Sequence, residues 1–109
     1  MKVHLIKRQT VEDYAAHHAR VRSFTLWLTA VKYAEWNTPA DIQQTFGSAD
    51  LLGNGSSRVV FDIGGNHHRL IARYVFGKQQ VHLFVCWVGT HAEYDKLCAK
   101  GEQYTVNLY

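Results

Sequence analysis

Three alternating apolar runs, two tight-turn signals and a helix cap, packed into residues 58–101, constrain this chain more than anything else in it. Arg58 to Ile63 places Val59, Phe61 and Ile63 on one face of a strand and Arg58, Val60 and Asp62 on the other. Gly64-Gly65-Asn66 follows, a hairpin turn in which glycine and asparagine tolerate positive φ. His68 to Phe76 is the next strand, Gly77-Lys78-Gln79 turns it, and Gln80 to Val88 returns. These two strands are rich in aromatic and β-branched residues, as central strands are. Thr90-His91-Ala92-Glu93 is then a capping box, with the Thr90 hydroxyl accepting from the Glu93 amide and the Glu93 carboxylate reaching back. A helix is predicted from His91 to about Ala99, stopped by Gly101.

The N-terminal half reads as helical after one short strand. Lys2 to Lys7 alternates, with Val3, Leu5 and Lys7 on one face. Thr10 stands as an N-cap with Glu12 and Asp13 in the first turn, and the helix runs roughly to Ala19. A second helix covers about Arg22 to Trp36, where Val21, Phe24, Leu28 and Val31 form an apolar stripe that Trp27 and Ala34 widen. Thr38 caps a short turn, Pro39 to Thr45, with Pro39 at N1 and Asp41 at N3. Ser48 to Ser57 is loop-like, with Leu51-Leu52 as a brief strand. Gln103 to Tyr109 alternates weakly and reads as an extra edge strand or a loose tail.

Helices grouped before a strand meander indicate an α+β fold, with N-terminal helices on an antiparallel sheet and a short C-terminal helix. A length of 109 residues suits one domain over 1–109. The net charge of +3 with seven histidines fits nucleic-acid binding without establishing it. Met1 to Ile6 is too short an apolar run for a signal-peptide core, and no stretch is long enough to span a membrane. Cys86 and Cys98 are too few for a disulfide scaffold, so a cytoplasmic chain with reduced thiols is expected.

The candidate chemistry sits around the hairpin and the last helix. Arg69, Ile71, Arg73 and Val75 share one face of their strand, and the helices are expected to cover the opposite, Leu70 face. Arg69 and Arg73 lie about 13 Å apart at the rise of a strand, about two phosphate spacings of a nucleic-acid chain. The plainer role for each is a solvated arginine paired with Asp62 or Glu93. With Thr90 as cap, His91, Tyr94 and Asp95 share a helix face, and a histidine beside an aspartate there is an acid/base candidate. On spacing alone a capping-box histidine on a surface helix is the commoner outcome. His67 and His68 point to opposite faces, and no metal-ligand spacing is present, so neither metal nor cofactor is expected. Neither cysteine has an evident activating base.

The segments Phe61-Asp62-Ile63-Gly64-Gly65-Asn66-His67-His68-Arg69-Leu70 and Thr90-His91-Ala92-Glu93-Tyr94-Asp95-Lys96 resemble the HigB toxins of bacterial toxin–antitoxin systems, within the wider RelE-like group. The pair Gly-Asn-x-x-Arg-Leu and Thr-His-x-x-Tyr-Asp carries the likeness, which extends over most of the chain. The resemblance implies a small microbial-ribonuclease-like domain and metal-independent cleavage of mRNA, usually on the ribosome. It also implies inhibition by a HigA-type helix-turn-helix antitoxin. Arg69 falls on the phosphate-binding arginine, and His91 and Tyr94 on positions that handle protons and orient RNA. Arg58, Asn66, His68, Arg73, Asp95 and Lys96 are expected to contact RNA. One departure is that RelE-like relatives often carry a lysine-rich element beside the site, where this chain offers only Arg58, His67 and His68.

RNA carries its own nucleophile, the 2′-hydroxyl, so such an enzyme needs only to move protons and stabilise the crowded phosphate. In that scheme Arg69 takes the phosphate charge with Arg73 in support, His91 is general acid or base, and Tyr94 stacks on a base or donates to the phosphate. The competing expectation is a non-catalytic RNA- or protein-binding module using the same basic, aromatic sheet.

Overall fold

A computed structural model describes residues 1–18 and 20–109. Its elements are β1 (Lys2–Ile6), α1 (Arg8–Ala16), α2 (Val21–Tyr33), α3 (Pro39–Thr45), β2 (Asp50–Leu52), β3 (Arg58–Ile63), β4 (His68–Phe76), β5 (Gln80–Thr90) and α4 (His91–Ala99), followed by a single 3-10 turn over Glu102–Tyr104. The five strands form one sheet in the order β1-β5-β4-β3-β2. The fold is α+β, as the sequence indicates.

The sheet is mixed rather than wholly antiparallel, because β1 pairs with β5 in parallel. Parallel neighbours need a long crossover, and the entire helical layer and β2–β4 supply it. Residue alternation within β1 carries no information on that direction. The α1 start also differs from expectation. The helix begins at Arg8, with Lys7 turned into the left-handed region at φ 72° and no side-chain cap. Thr10 therefore lies inside the first turn. Glu12 and Asp13 act instead as partners four residues on, to Arg8 Nε at 2.7 Å and Gln9 Nε2 at 2.8 Å. The expected end at Ala19 lies outside the described residues. Helix α2 stops at Tyr33, short of Trp36, because the chain extends at Ala34 so that the Trp36 amide can donate to the Met1 carbonyl at 2.9 Å. Trp36 is thereby carried into the core. The Thr38–Asp41 and Thr90–Glu93 capping boxes both form as predicted.

The main core lies between the helices and one sheet face. It joins Val11, Phe24, Trp27, Leu28, Val31, Trp36 and Ile42 to Phe61, Leu70, Ala72, Leu83 and Val85. A second, smaller core lies on the opposite face, where Val60, Ile71, Cys86, Trp87 and Tyr94 pack with Leu52, Leu97, Cys98 and Val106. A bulge builds this second core. Ile71 pairs with Trp87 and Ala72 with Val85, which leaves Cys86 as the extra residue and puts Cys86 and Trp87 on the same side. The Arg69 face is consequently half covered, by α4 and the C-terminal tail, rather than open.

Candidate active site

The site grows from the β3–β4 hairpin. Gly64 and Gly65 take φ values of 71° and 66°, which reverse the chain so tightly that Asp62 and Arg69 become direct cross-strand partners. Gly89 of β5 lies opposite Arg69 on the other side. A Cβ there would lie 2.6 Å from the Trp87 ring and 3.1 Å from a Glu93 oxygen, so only glycine fits.

Arg69 is held on three sides. Its Nη2 donates to Asn66 Oδ1 at 3.0 Å. Asp62 Oδ1 lies 2.7 Å from Nε, an ion pair too misaligned to be a hydrogen bond. The guanidinium carbon stands 5.1 Å from the centre of the Tyr94 ring, a cation–π contact. The Asp62 pairing is the plainer role anticipated for this arginine. It does not exhaust the group, because a guanidinium has five N–H donors and the side chain keeps 21% of its exposure.

Helix α4 supplies the proton-transfer candidate. The His91 amide donates to the His67 carbonyl at 3.0 Å, tying the helix start to the hairpin. His91 Nδ1 lies 3.2 Å from Asp95 Oδ2, one helical turn on. This is an ion-pair distance without hydrogen-bond alignment, so the carboxylate acts on the imidazole as a nearby negative charge. Glu93 accepts from the Thr90 amide at 2.8 Å, and this backbone bond holds its carboxyl below the ordinary carboxylate value.

Tyr94 is only 8% exposed. Its ring packs 6.1 Å from that of Trp87, and burial followed by the neighbouring Cys98 thiol drives its hydroxyl upward in pKa. Stacking on an RNA base is closed to it while α4 is seated. It serves instead as the floor beneath Arg69.

Other expected contacts fall elsewhere. His68 lies on the opposite face, beneath α1, with Nδ1 3.2 Å from the Tyr14 hydroxyl and its ring among those of Tyr14, His18 and Phe24. Burial, then the nearby His18 and His67, lower its pKa. Strand alternation separates it from Arg69, so it is no part of this site. Arg58 is 6% exposed, and one amino group donates to the Val106 carbonyl at 2.6 Å and the Gln103 carbonyl at 3.3 Å. It grips the tail. Arg73 stays exposed, its guanidinium 4.5 Å over the Phe84 ring. Lys96 is exposed on α4 beside Trp87, Glu93 and Lys100. Arg20, not anticipated, reaches the hairpin, with Nη2 2.7 Å from His67 Nε2 and its stem against Gly64. Nothing local to Arg20 signals that partner, which is 47 residues away. Cys86 and Cys98 are free thiols, and no helix among the described residues is long and apolar enough to cross a membrane.

A mixed sheet with an arginine clamped at a Gly-Gly-Asn hairpin, facing the capped start of the last helix, accords with one class of protein. Residues 21–97 match a family model described as the RelE-like toxic component of a toxin–antitoxin system. The chain belongs to that family, the HigB toxins. It is also similar to the mRNA interferase HigB of Escherichia coli O6:H1, being 28% identical over 96 residues that cover 87% of this chain and 91% of the relative.

Proposed function

We propose that the chain is an endoribonuclease that cuts mRNA without a metal ion, with Arg69 and His91 as its catalytic residues. The observation that carries this reading is a three-sided arginine seat whose floor, Tyr94, lies on the same helix as the His91–Asp95 pair. The name of the E. coli relative supports the same substrate.

In this scheme the RNA phosphate meets the guanidinium N–H donors that Asn66 and Asp62 leave unused. Being prepositioned, they stabilise the charge that builds on the phosphate oxygens. His91 Nε2 takes the 2′-hydroxyl proton, and the nearby Asp95 carboxylate stabilises the imidazolium that forms. The 2′-oxygen then bonds to phosphorus and the 5′-oxygen leaves, taking a proton from water. The products are a 2′,3′-cyclic phosphate and a 5′-hydroxyl end. Tyr94 acts through Arg69 as a positioning residue. The protein works in the cytoplasm on the ribosome and is neutralised by a HigA-type helix-turn-helix antitoxin.

Controlled expression in a bacterium, with mapping of RNA 5′ ends, tests this. Growth arrest with new 5′-hydroxyl ends inside coding regions, lost in His91→Ala, is expected. Normal growth with unchanged ends, in cells containing folded protein, sinks it. The Asp62–Arg69 ion pair favours a second reading, a non-catalytic RNA- or protein-binding module. Such a module shifts RNA mobility and leaves the strand at full length.

A further inference from the structure

A second cationic feature lies on β4, four residues beyond Arg69. Arg73 is the direct cross-strand partner of Arg58 on one side and of Phe84 on the other. Phe84 in turn pairs with Ile6, so Lys7 follows immediately at the end of that row. These residues, with Thr105, Asn107 and Tyr109 of the tail, enclose a cavity of about 340 Å3. The tail is fastened there at two points. The Leu108 amide donates to the Cys86 carbonyl at 2.8 Å, and Arg58 donates to the carbonyls of Gln103 and Val106.

The charge in this cavity has no ion-pair partner. Among the described residues no carboxylate lies within 4 Å of the charged groups of Lys7, Arg58 or Arg73. Like charges directly opposite on neighbouring strands repel, and a buried cation ordinarily has an anionic partner. The guanidinium of Arg58 is buried, yet its hydrogen-bond acceptors are neutral carbonyls. Lys7 holds a φ of 72°, a conformation that glycine takes freely and lysine does not. As the N-cap position of α1 it also stands at the positive end of a helix dipole whose first turn carries no acidic residue. Lys7 and the tail residues lie outside the segment that matches the toxin-family model, residues 21–97.

We propose that the Lys7–Arg58–Arg73 cavity is a phosphate-binding site, and that the phosphate it takes belongs to the RNA strand whose reacting phosphate lies at Arg69. The first half stands on geometry alone; the second rests on the function proposed above. Arg69 and Arg73 are separated by about 13 Å along the strand, so the RNA would be held about two phosphates from the bond that breaks. The volume falls at the small end of ligand sites, roughly 300–1,000 Å3, and suits a phosphate with part of its nucleoside.

Two measurements on the full chain test the two halves. In the first, inorganic phosphate is titrated while the arginine Nε–H resonances are followed by NMR. Saturable shifts at Arg58 and Arg73, abolished in Lys7→Gln and Arg73→Gln proteins with unchanged circular dichroism, are expected. Shifts confined to Arg69, or none, overturn the site. In the second, a 2′-O-methyl RNA oligonucleotide, which cannot be cut, is bound at several salt concentrations. Each of the two substitutions should reduce the salt slope by about 0.7, the release expected per phosphate contact on a single strand. An unchanged slope, with phosphate still bound in the first measurement, overturns the RNA half and leaves a site for free phosphate. Failure of the wild type to cut RNA, with both measurements as expected, instead refutes the proposed nuclease activity and leaves the site standing.

Discussion

Arg69 and Tyr94 are joined by a cation–π contact of 5.1 Å that ties the central strand β4 to helix α4. Tyr94 is at once a core residue and the seat of the arginine, because the bulge at Cys86 delivers Trp87 against its ring. A change in that small core therefore reaches Arg69 without touching it.

This coupling separates the two halves of the tyrosine. Tyr94→Phe keeps the ring, the Trp87 contact and the floor beneath Arg69, and should retain RNA cleavage within a few-fold. Tyr94→Ala removes a buried aromatic and should cost about 3–5 kcal/mol in urea unfolding. Loss of cleavage in a stable Tyr94→Phe protein would show that the hydroxyl itself reaches the RNA.

Asn66 fixes the outer edge of the guanidinium through a single 3.0 Å bond. Asn66→Ala should lower kcat by about tenfold with little change in stability, whereas Arg69→Ala should lower it by roughly 10²–10³, the usual loss for a prepositioned donor at a developing charge. Single-turnover cleavage of a short RNA would distinguish these magnitudes. Equal effects would mean that Asn66 has some task beyond holding Arg69.

Gly89 has no room for a side chain. Gly89→Ala would drive a methyl group into the Trp87 ring, 2.6 Å away. Overpacking of this kind costs typically 1–3 kcal/mol, and thermal unfolding should show it. Because Trp87 supports Tyr94, cleavage should fall as well, even under conditions where the variant is fully folded.

Stability should fall with acid in two stages. The pKa of His68 is lowered by burial, so the folded state resists protonating it. Its contribution is complete above the ordinary value of 6.5 and is lost as pH falls through the lower folded value. Glu93 is held down by the Thr90 amide. Its contribution is complete above 4.5 and fades at lower pH still. Urea midpoints against pH should therefore decline first below about pH 6.5. His68→Gln should flatten that first stage, and Glu93→Gln should make the second shallower, since Glu35 and Asp41 are also held low and share it. Removing the cap itself, Thr90→Ala, should cost about 1 kcal/mol at neutral pH.

Much of the architecture was legible in the residues because its signals are local. Period-two alternation places β3, β4 and β5, Gly64-Gly65-Asn66 places the hairpin, and the Thr90–Glu93 and Thr38–Asp41 boxes place two helix starts. Spacing along the helix likewise anticipates the His91–Asp95 pair, which closes at 3.2 Å. Each of these depends on residues within a few positions of one another, and short-range sterics and hydrogen bonding decide them.

What the tertiary structure alone decided depends on residues far apart. Arg58 and Arg73 look alike as strand arginines, yet the tail covers one and leaves the other exposed, because Val106 comes to rest 48 residues on from Arg58. His68 is adjacent to Arg69 in the chain but belongs to the helical layer, where Tyr14 meets it from 54 residues away. The parallel pairing of β1, the bulge at Cys86 and the burial of Tyr94 are of the same kind. A sequence specifies which side of a strand a residue takes. Only the packed chain determines what lies on that side, since burial and charge pairing are set by whichever distant segments the whole fold brings there.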